Sequence, residues 1–395
     1  MRETSSPTAA AGRIHSIDVV RGLVMVLMAI DHVRVYAGVP AWSTEPATFF
    51  TRWVTHFCAP AFVFLAGTSA FLSGRHSGTA ELARKLLLRG ALLILLELTL
   101  VRVAWTFNFD FSRYLLAGVL WMIGWCMILM APLVRLPLPI IGGFGVLMIA
   151  GHNLSALLPA ESVRSLLASG FGWLARILYF GGGMTLGGGD VPNFFVLYSL
   201  VPWIGVMAAG YAFGHVMSLE RHARVRACLA IGFGSVAAFL VLRGFNLYGD
   251  RPWTAGEEMP GLLAFLDTSK YPASLLFLLM TLGPTIAALP LLENAHGRLA
   301  RWLSVFGHVP FAYYLLHIPL IHLVALAISL VRTPAATAWL FHDHPLRPGP
   351  VPDGYMWSLG LLYAVTLLVV VVLYFPCRRF AELKARRAHP WLSYL

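Results

Sequence analysis

The sequence predicts an all-α, polytopic integral membrane helix bundle of about ten transmembrane helices, with both termini cytoplasmic. Three observations predict it. Hydrophobic residues make up 58% of the 395 positions and charged residues 12%, about half the charged share of a soluble domain. Apolar stretches close to the roughly 20 residues that cross a bilayer recur along the chain. Lys and Arg concentrate in alternate connecting segments. The same composition, with mean hydropathy +0.74, excludes a string of soluble domains, a disordered chain and a disulfide scaffold.

The elements follow in order. Residues 1–16 form a polar tail. The apolar run after it continues to about Val39 and holds Asp18, Arg21, Asp31, His32 and Arg34. It is too long for a signal peptide and reads as an uncleaved first span. The ten predicted helices are 17–38, 51–73, 85–105, 113–134, 137–151, 194–217, 225–243, 271–292, 302–331 and 355–377. The fifth is short, and 170–180 reads as an interfacial or re-entrant piece. Between helices, the Gly-rich run GGGMTLGGGD at 181–190 reads as a flexible loop, because no strand leads into it and no GKS or GKT follows. The Pro-rich loop 333–354 carries His342, Asp343 and His344, a weak metal pattern, and no metal is expected.

Charge fixes the orientation. Of the 29 Lys and Arg, 17 fall on the side of the termini, 11 on the other, and Arg21 lies inside the first span. The net charge of +11 therefore reads as a positive-inside signature rather than a nucleic-acid surface. An even number of spans keeps both termini cytoplasmic. Cys58, Cys126, Cys228 and Cys377 lie in or beside apolar stretches without a CxxC pair and read as free thiols.

Ionisable residues inside spans are costly and point to function. Asp18 and Arg21 share a helix face and are placed to pair, either as an ion pair at the helix start or as part of an anionic-cofactor site. Arg21 and His32 are eleven residues apart, within 20° of three full turns and about 16 Å along the axis. An imidazole there suits proton transfer, or an interhelical hydrogen bond. Asp31 points about 100° away and is better placed to hold another group, such as His56. Glu97, deep in the third span, reads as a protonated acid or a partner of Arg102 or Arg21. His317 reads as a polar link between helices, or a catalytic group. Arg75, Arg84, Lys85, Arg89, Arg221, Arg224 and Arg226 set topology or bind phosphates. Lys270, Tyr271, Arg102 and Trp105 are candidates to hold a sugar on the outer side.

The residues IHSIDVVRGLVMVLMAIDH at 14–32 resemble the opening of the transmembrane acyltransferase superfamily. Its acyltransferase-3 branch carries an Asp, an Arg-Gly and a His ten residues further on, here Asp18, Arg21-Gly22 and His32. FGHVPFAYYLLHIPL at 306–320, with Gly307, Tyr314 and His317, is similar to a late helix of that superfamily. THFCAPAFVFLAGTSAFLSG at 55–74, VPWIGVMAAGYAFG at 201–214 and KYPASLLFLLMTLGP at 270–284 resemble bacterial members of the heparan-alpha-glucosaminide N-acetyltransferase family. The resemblance spans 13–330, leaving 331–377 as an outer loop with the last helix and 378–395 as a basic tail.

The resemblance implies transfer of an acetyl or other short acyl group from cytoplasmic acyl-CoA to a sugar or glycan at the outer face of a bacterial inner membrane. It implies His32 as catalytic base and Arg21 as a structural or CoA-side residue. Beside these, the residues themselves offer Asp31 and His56 as further catalytic candidates, Asp18, Arg84 and Lys85 with Arg21 for the CoA, and Glu97, Lys270, Tyr271 and His317 for the substrate. The glucosaminide branch carries its active His in an HxSWNG-type segment after the first span. Here that stretch reads GVPAWSTEPATF, with Trp42 and Ser43 but no His. The implied partners are the lipid bilayer and the acceptor, with a homodimer left open and no nucleic acid. A proton-coupled transporter or flippase is the alternative. No half-to-half symmetry or matched pair of broken helices supports it.

Overall fold

A computed structural model describes residues 14–187, 192–254, 256, 259–341 and 350–386. The expected His342-Asp343-His344 motif, most of the N-terminal tail and the end of the C-terminal tail lie outside the described residues.

The chain builds α1 (His15–Tyr36), α2 (Pro46–Trp53), α3 (Cys58–Ser77), α4 (Thr79–Leu96), α5 (Arg102–Thr106), β1 (Leu115–Ala117), α6 (Val119–Leu133), α7 (Leu138–Gly151), α8 (Ala160–Ala168) and α9 (Gly172–Ala175). It continues with β2 (Gly182–Met184), β3 (Phe194–Val196), α10 (Leu200–Met217), α11 (Arg221–Gly244), α12 (Gly261–Leu266), α13 (Leu275–Leu291), α14 (Arg298–His308), α15 (Pro310–Arg332) and α16 (Leu359–Ala385). Among the described residues, six helical stretches are long and apolar enough to cross a bilayer: Pro46–Ser77, Leu138–Leu157, α10, α11, α15 and α16. The helices α6 and α13 are apolar as well but shorter. α7, α11 and α16 present Leu147, Phe233 and Leu367, each more than 60% exposed, as a lipid-facing surface.

Helices in lipid gain no hydrophobic advantage from pairing, so small residues that admit close backbone contact decide which ones pack. Five tight pairs carry glycine on both partners. A Cβ at Gly67 of α3 would meet the Met207 carbonyl, and one at Gly210 of α10 the Phe64 carbonyl. Gly90 and Gly124 join α4 to α6, Gly145 and Gly205 join α7 to α10, and Gly232 and Gly283 join α11 to α13 in the same way. Gly22 of α1 lies against the Leu303 carbonyl, and Gly307 of α14 against that of Asp18.

Three expectations are corrected. The predicted helix 302–331 is two helices. Val309 takes φ −134°, ψ 52° before Pro310, because a residue that precedes proline is driven out of helical geometry, and Pro310 starts α15. The predicted helices 113–134 and 194–217 each open with a strand: β1 pairs parallel with β3. Residues 182–184 of the Gly-rich run are β2, antiparallel to β3, rather than a flexible loop. Three-residue strands carry too few alternations to show a period. The region 170–180 contains α9 and one wide helical turn. The four cysteines are free and buried.

Candidate active site

α1 carries the site along its length. At one end, Arg21 donates from Nη2 to the Leu65 carbonyl at 3.0 Å and to the Ser69 hydroxyl, which turns its guanidinium toward α3. Beside it opens a cavity of about 310 Å³. Arg21, Lys85, Arg89, His308 and Lys384 give it five basic side chains. Met25, Phe62, Leu93, Leu120 and Tyr314 form its apolar continuation. Lys85 keeps a surface ion pair with Glu81 at 2.7 Å.

Asp18 is 3% exposed. It lies 3.3 Å from Nε2 of His308 and so holds the cavity wall rather than lining it. Arg84 is exposed and faces away from the cavity. Arg224, a second phosphate candidate, is bound by Glu293 through two contacts of 2.6 and 3.0 Å. His308, Ser69 and Lys384 escaped the sequence reading. The only signal for His308 was its place just before the Val-Pro break.

Tyr314 belongs to both the cavity and the centre beyond it. Its ring stands edge-on to His32, with centroids 6.5 Å apart, and 5.2 Å from the ring of His317. His32 and His317 stack with centroids 4.8 Å apart, and Nδ1 of His32 lies 2.6 Å from Nε2 of His317. His317 Nδ1 in turn donates to the carbonyls of Tyr314, at 2.6 Å, and Tyr313, at 3.2 Å. Trp105 closes one side of His32, edge-on at 5.0 Å, and its carbonyl accepts from the Tyr36 hydroxyl at 2.8 Å. His317 is fully buried, whereas His32 is only partly so.

Asp31 does not hold His56 by a hydrogen bond. Its Oδ1 accepts from Arg34 Nε at 2.9 Å, and Arg34 also donates to the Val39 carbonyl at 2.8 Å. His56 is 4% exposed, rests edge-on against Phe277 at 5.4 Å, and has no hydrogen-bond partner for either ring nitrogen among the described residues.

Lys270 arrives from the opposite side, delivered by an ordered loop. Arg243, buried at the end of α11, donates to the carbonyls of Phe265, Arg251, Ala264 and Asp267 at 2.8–2.9 Å. Asp250 accepts from the Ser269 amide, the Ser269 hydroxyl and the Ser274 hydroxyl at 2.8, 2.7 and 2.6 Å. These bonds satisfy polar groups of the loop and order it. Lys270 is 7% exposed, with its ammonium 5.3 Å from the Tyr271 ring centre. Its charge acts on Asp31, His32, His56 and Cys58. Tyr271 donates to the Tyr198 hydroxyl at 3.3 Å.

Glu97 and Arg102 both find local partners. Glu97 pairs with neither Arg102 nor Arg21. Its Oε2 accepts from the Leu120 amide at 2.9 Å, which satisfies an otherwise orphan donor at the start of α6. Arg102 donates to the carbonyls of Tyr114, Asn108 and Asp110 and to the Thr106 hydroxyl, which ties down its own loop. Among the described residues no cluster of three His, Cys, Asp or Glu side chains is arranged to hold a metal.

A partly buried imidazole, backed by a second imidazole and joined through Tyr314 to a basic-ended apolar cavity, suits proton removal beside an activated, anionic donor. The sequence matches the family described as heparan-alpha-glucosaminide N-acetyltransferase, catalytic, over residues 13–246. No curated protein matches the chain.

Proposed function

The chain belongs to the heparan-alpha-glucosaminide N-acetyltransferase family, and from that premise we propose that it moves an acetyl group from acetyl-CoA across the bundle to a sugar acceptor. The family makes it a membrane enzyme of the acetyltransferase type. The observation that carries the finer reading is the continuity from the five basic side chains through the apolar cavity to Tyr314, whose ring stands against His32. CoA is a polyphosphate joined to a thin, largely neutral arm that ends in a thioester. Arg21, Lys85, Arg89, His308 and Lys384 supply charge-assisted contacts for the phosphates. The apolar part takes the arm. Arg21 and His32 are separated by about 16 Å along α1, a distance an extended arm spans.

At the far end His32 takes the proton of the acceptor's amine or hydroxyl as that atom attacks the thioester carbonyl. Lys270 approaches from the other side. Its side chain, 7% exposed, is a candidate to stabilise negative charge that develops on the carbonyl oxygen. Tyr271 offers a ring face to the sugar.

We read the six long apolar helices, with α6, α13, α1 and α4, as ten crossings. The basic end then faces the cytoplasm, where acyl-CoA is found, and the Lys270 end faces outward. His56 is kept as a second candidate base.

The test uses purified protein in detergent with radiolabelled acetyl-CoA and glucosamine as the acceptor probe, wild type beside His32→Ala. CoA release and labelled sugar should appear with wild type and fall by about 100-fold or more in the variant. Wild-type protein that binds no acyl-CoA and releases no CoA, while still folded, overturns the reading.

A further inference from the structure

We infer that His317 is a positioning residue that fixes the tautomer of His32, so that Nε2 of His32 carries the lone pair that acts as base. The inference rests on the acyltransfer reading for its consequence, but its premise is geometric.

A carbonyl oxygen can only accept a hydrogen bond. Nδ1 of His317 lies 2.6 Å from the Tyr314 carbonyl and 3.2 Å from that of Tyr313, so Nδ1 carries the hydrogen. A neutral imidazole has one N–H, which leaves Nε2 of His317 with a lone pair. That nitrogen lies 2.6 Å from Nδ1 of His32, and a hydrogen bond between them requires the proton on His32 Nδ1. With one proton per ring, Nε2 of His32 is then bare. It has no hydrogen-bond partner among the described residues, and the residue is only partly buried, so this lone pair is open to an incoming group. The main chain of α15 thus sets the first tautomer, and the first sets the second, across two helices whose histidines are 285 residues apart.

The consequence for the reaction is definite. As the acceptor's nitrogen or oxygen bonds to the acyl carbon, its proton passes to His32 Nε2 and the carbonyl π pair moves to oxygen. The resulting imidazolium donates from Nδ1 to His317 Nε2, a charge-assisted bond stronger than the neutral one it replaces. When the C–S bond breaks, the proton on Nε2 goes to the departing sulfur. His317 touches no reacting atom. Without it, nothing in the described structure holds the proton on Nδ1, and the tautomer with Nε2–H cannot accept.

The test has two arms. The first records the side-chain nitrogen resonances of ¹⁵N-histidine protein in nanodiscs, with His32→Gln to assign the signals. Wild type should show His32 protonated at Nδ1 and bare at Nε2, and His317→Leu should shift it toward the Nε2–H form. The second measures acetyl-CoA turnover with glucosamine. His317→Leu should lower kcat by about 100-fold with the KM for acetyl-CoA unchanged. His317→Gln, whose Oε1 can accept from Nδ1, should recover most of it. Thermal unfolding identifies a variant that fails to fold, and the wild-type spectrum and His317→Gln then carry the test. A wild-type His32 protonated at Nε2 overturns the inference, as does full turnover in folded His317→Leu. Absence of turnover in wild type with the expected spectrum instead refutes the acyltransfer reading and leaves the tautomer assignment standing.

Discussion

The carboxylate of Asp18 lies 3.3 Å from Nε2 of His308, so the start of α1 holds one wall of the basic cavity. The contact exists because Gly307 brings α14 onto the backbone of Asp18. His308→Ala should therefore weaken acyl-CoA binding, raising its KM about 10-fold, the lower end of what one charge-assisted contact contributes, with kcat unchanged. Asp18→Asn should do the same through a displaced His308. Initial rates against acetyl-CoA concentration separate the two constants. A fall in kcat at constant KM would place the pair at the chemistry instead.

His56 combines deep burial with two ring nitrogens that have no hydrogen-bond partner among the described residues. A buried polar group without a partner costs about 1–3 kcal/mol, so His56→Leu should raise the unfolding temperature. If His56 serves the centre beside Asp31 and Lys270, the same variant should lose turnover while it gains stability. Differential scanning fluorimetry in detergent, paired with CoA release, reads both. A destabilised variant would mean that a bound water or ligand satisfies the ring.

Gly22 packs directly against the Leu303 carbonyl. Gly22→Ala inserts a methyl where backbone already stands, at a cost of about 1–3 kcal/mol. The unfolding temperature should fall, and the KM for acyl-CoA should rise, because α14 carries His308. Gly234→Ala, where a Cβ meets nothing within 4 Å, is the matched control and should leave both unchanged.

Glu45 caps α2, accepting from the amides of Thr48 at 2.6 Å and Ala47 at 3.0 Å. The Thr48 side chain, and then these two amides, hold its carboxyl below the ordinary glutamate range. A folded value below the unfolded one means that the stabilisation is complete above the unfolded value. It is lost as pH falls through the folded one. The protection of the Ala47 and Thr48 amides, their exchange relative to the intrinsic rate at each pH, should therefore fall selectively at pH below the glutamate range. Glu45→Gln should show low protection at neutral pH as well. Protection that is unchanged across pH and by the substitution would remove the cap from the account.

The sequence by itself determined the helical membrane class, because bilayer thickness demands long apolar runs and those are countable. It also singled out His32, Arg21 and His317, because an ionisable group in a span is costly and therefore conspicuous, and Lys270 as a candidate sugar contact at the end of an outer loop. It did not determine what these groups meet. Asp18 turns to His308, Asp31 to Arg34 and Glu97 to the Leu120 amide. Each partner is chosen by which backbones approach, and glycines at helix crossings set that approach. The split at Val309 was legible in principle, since Pro310 forbids its helical conformation, whereas the three-residue strands left no period to read. The basic cavity and the His32–His317 contact join segments hundreds of residues apart. Only the packing of α1 against α3, α14 and α15 brings them to one place, and helical spacing within a single element carries no information about it.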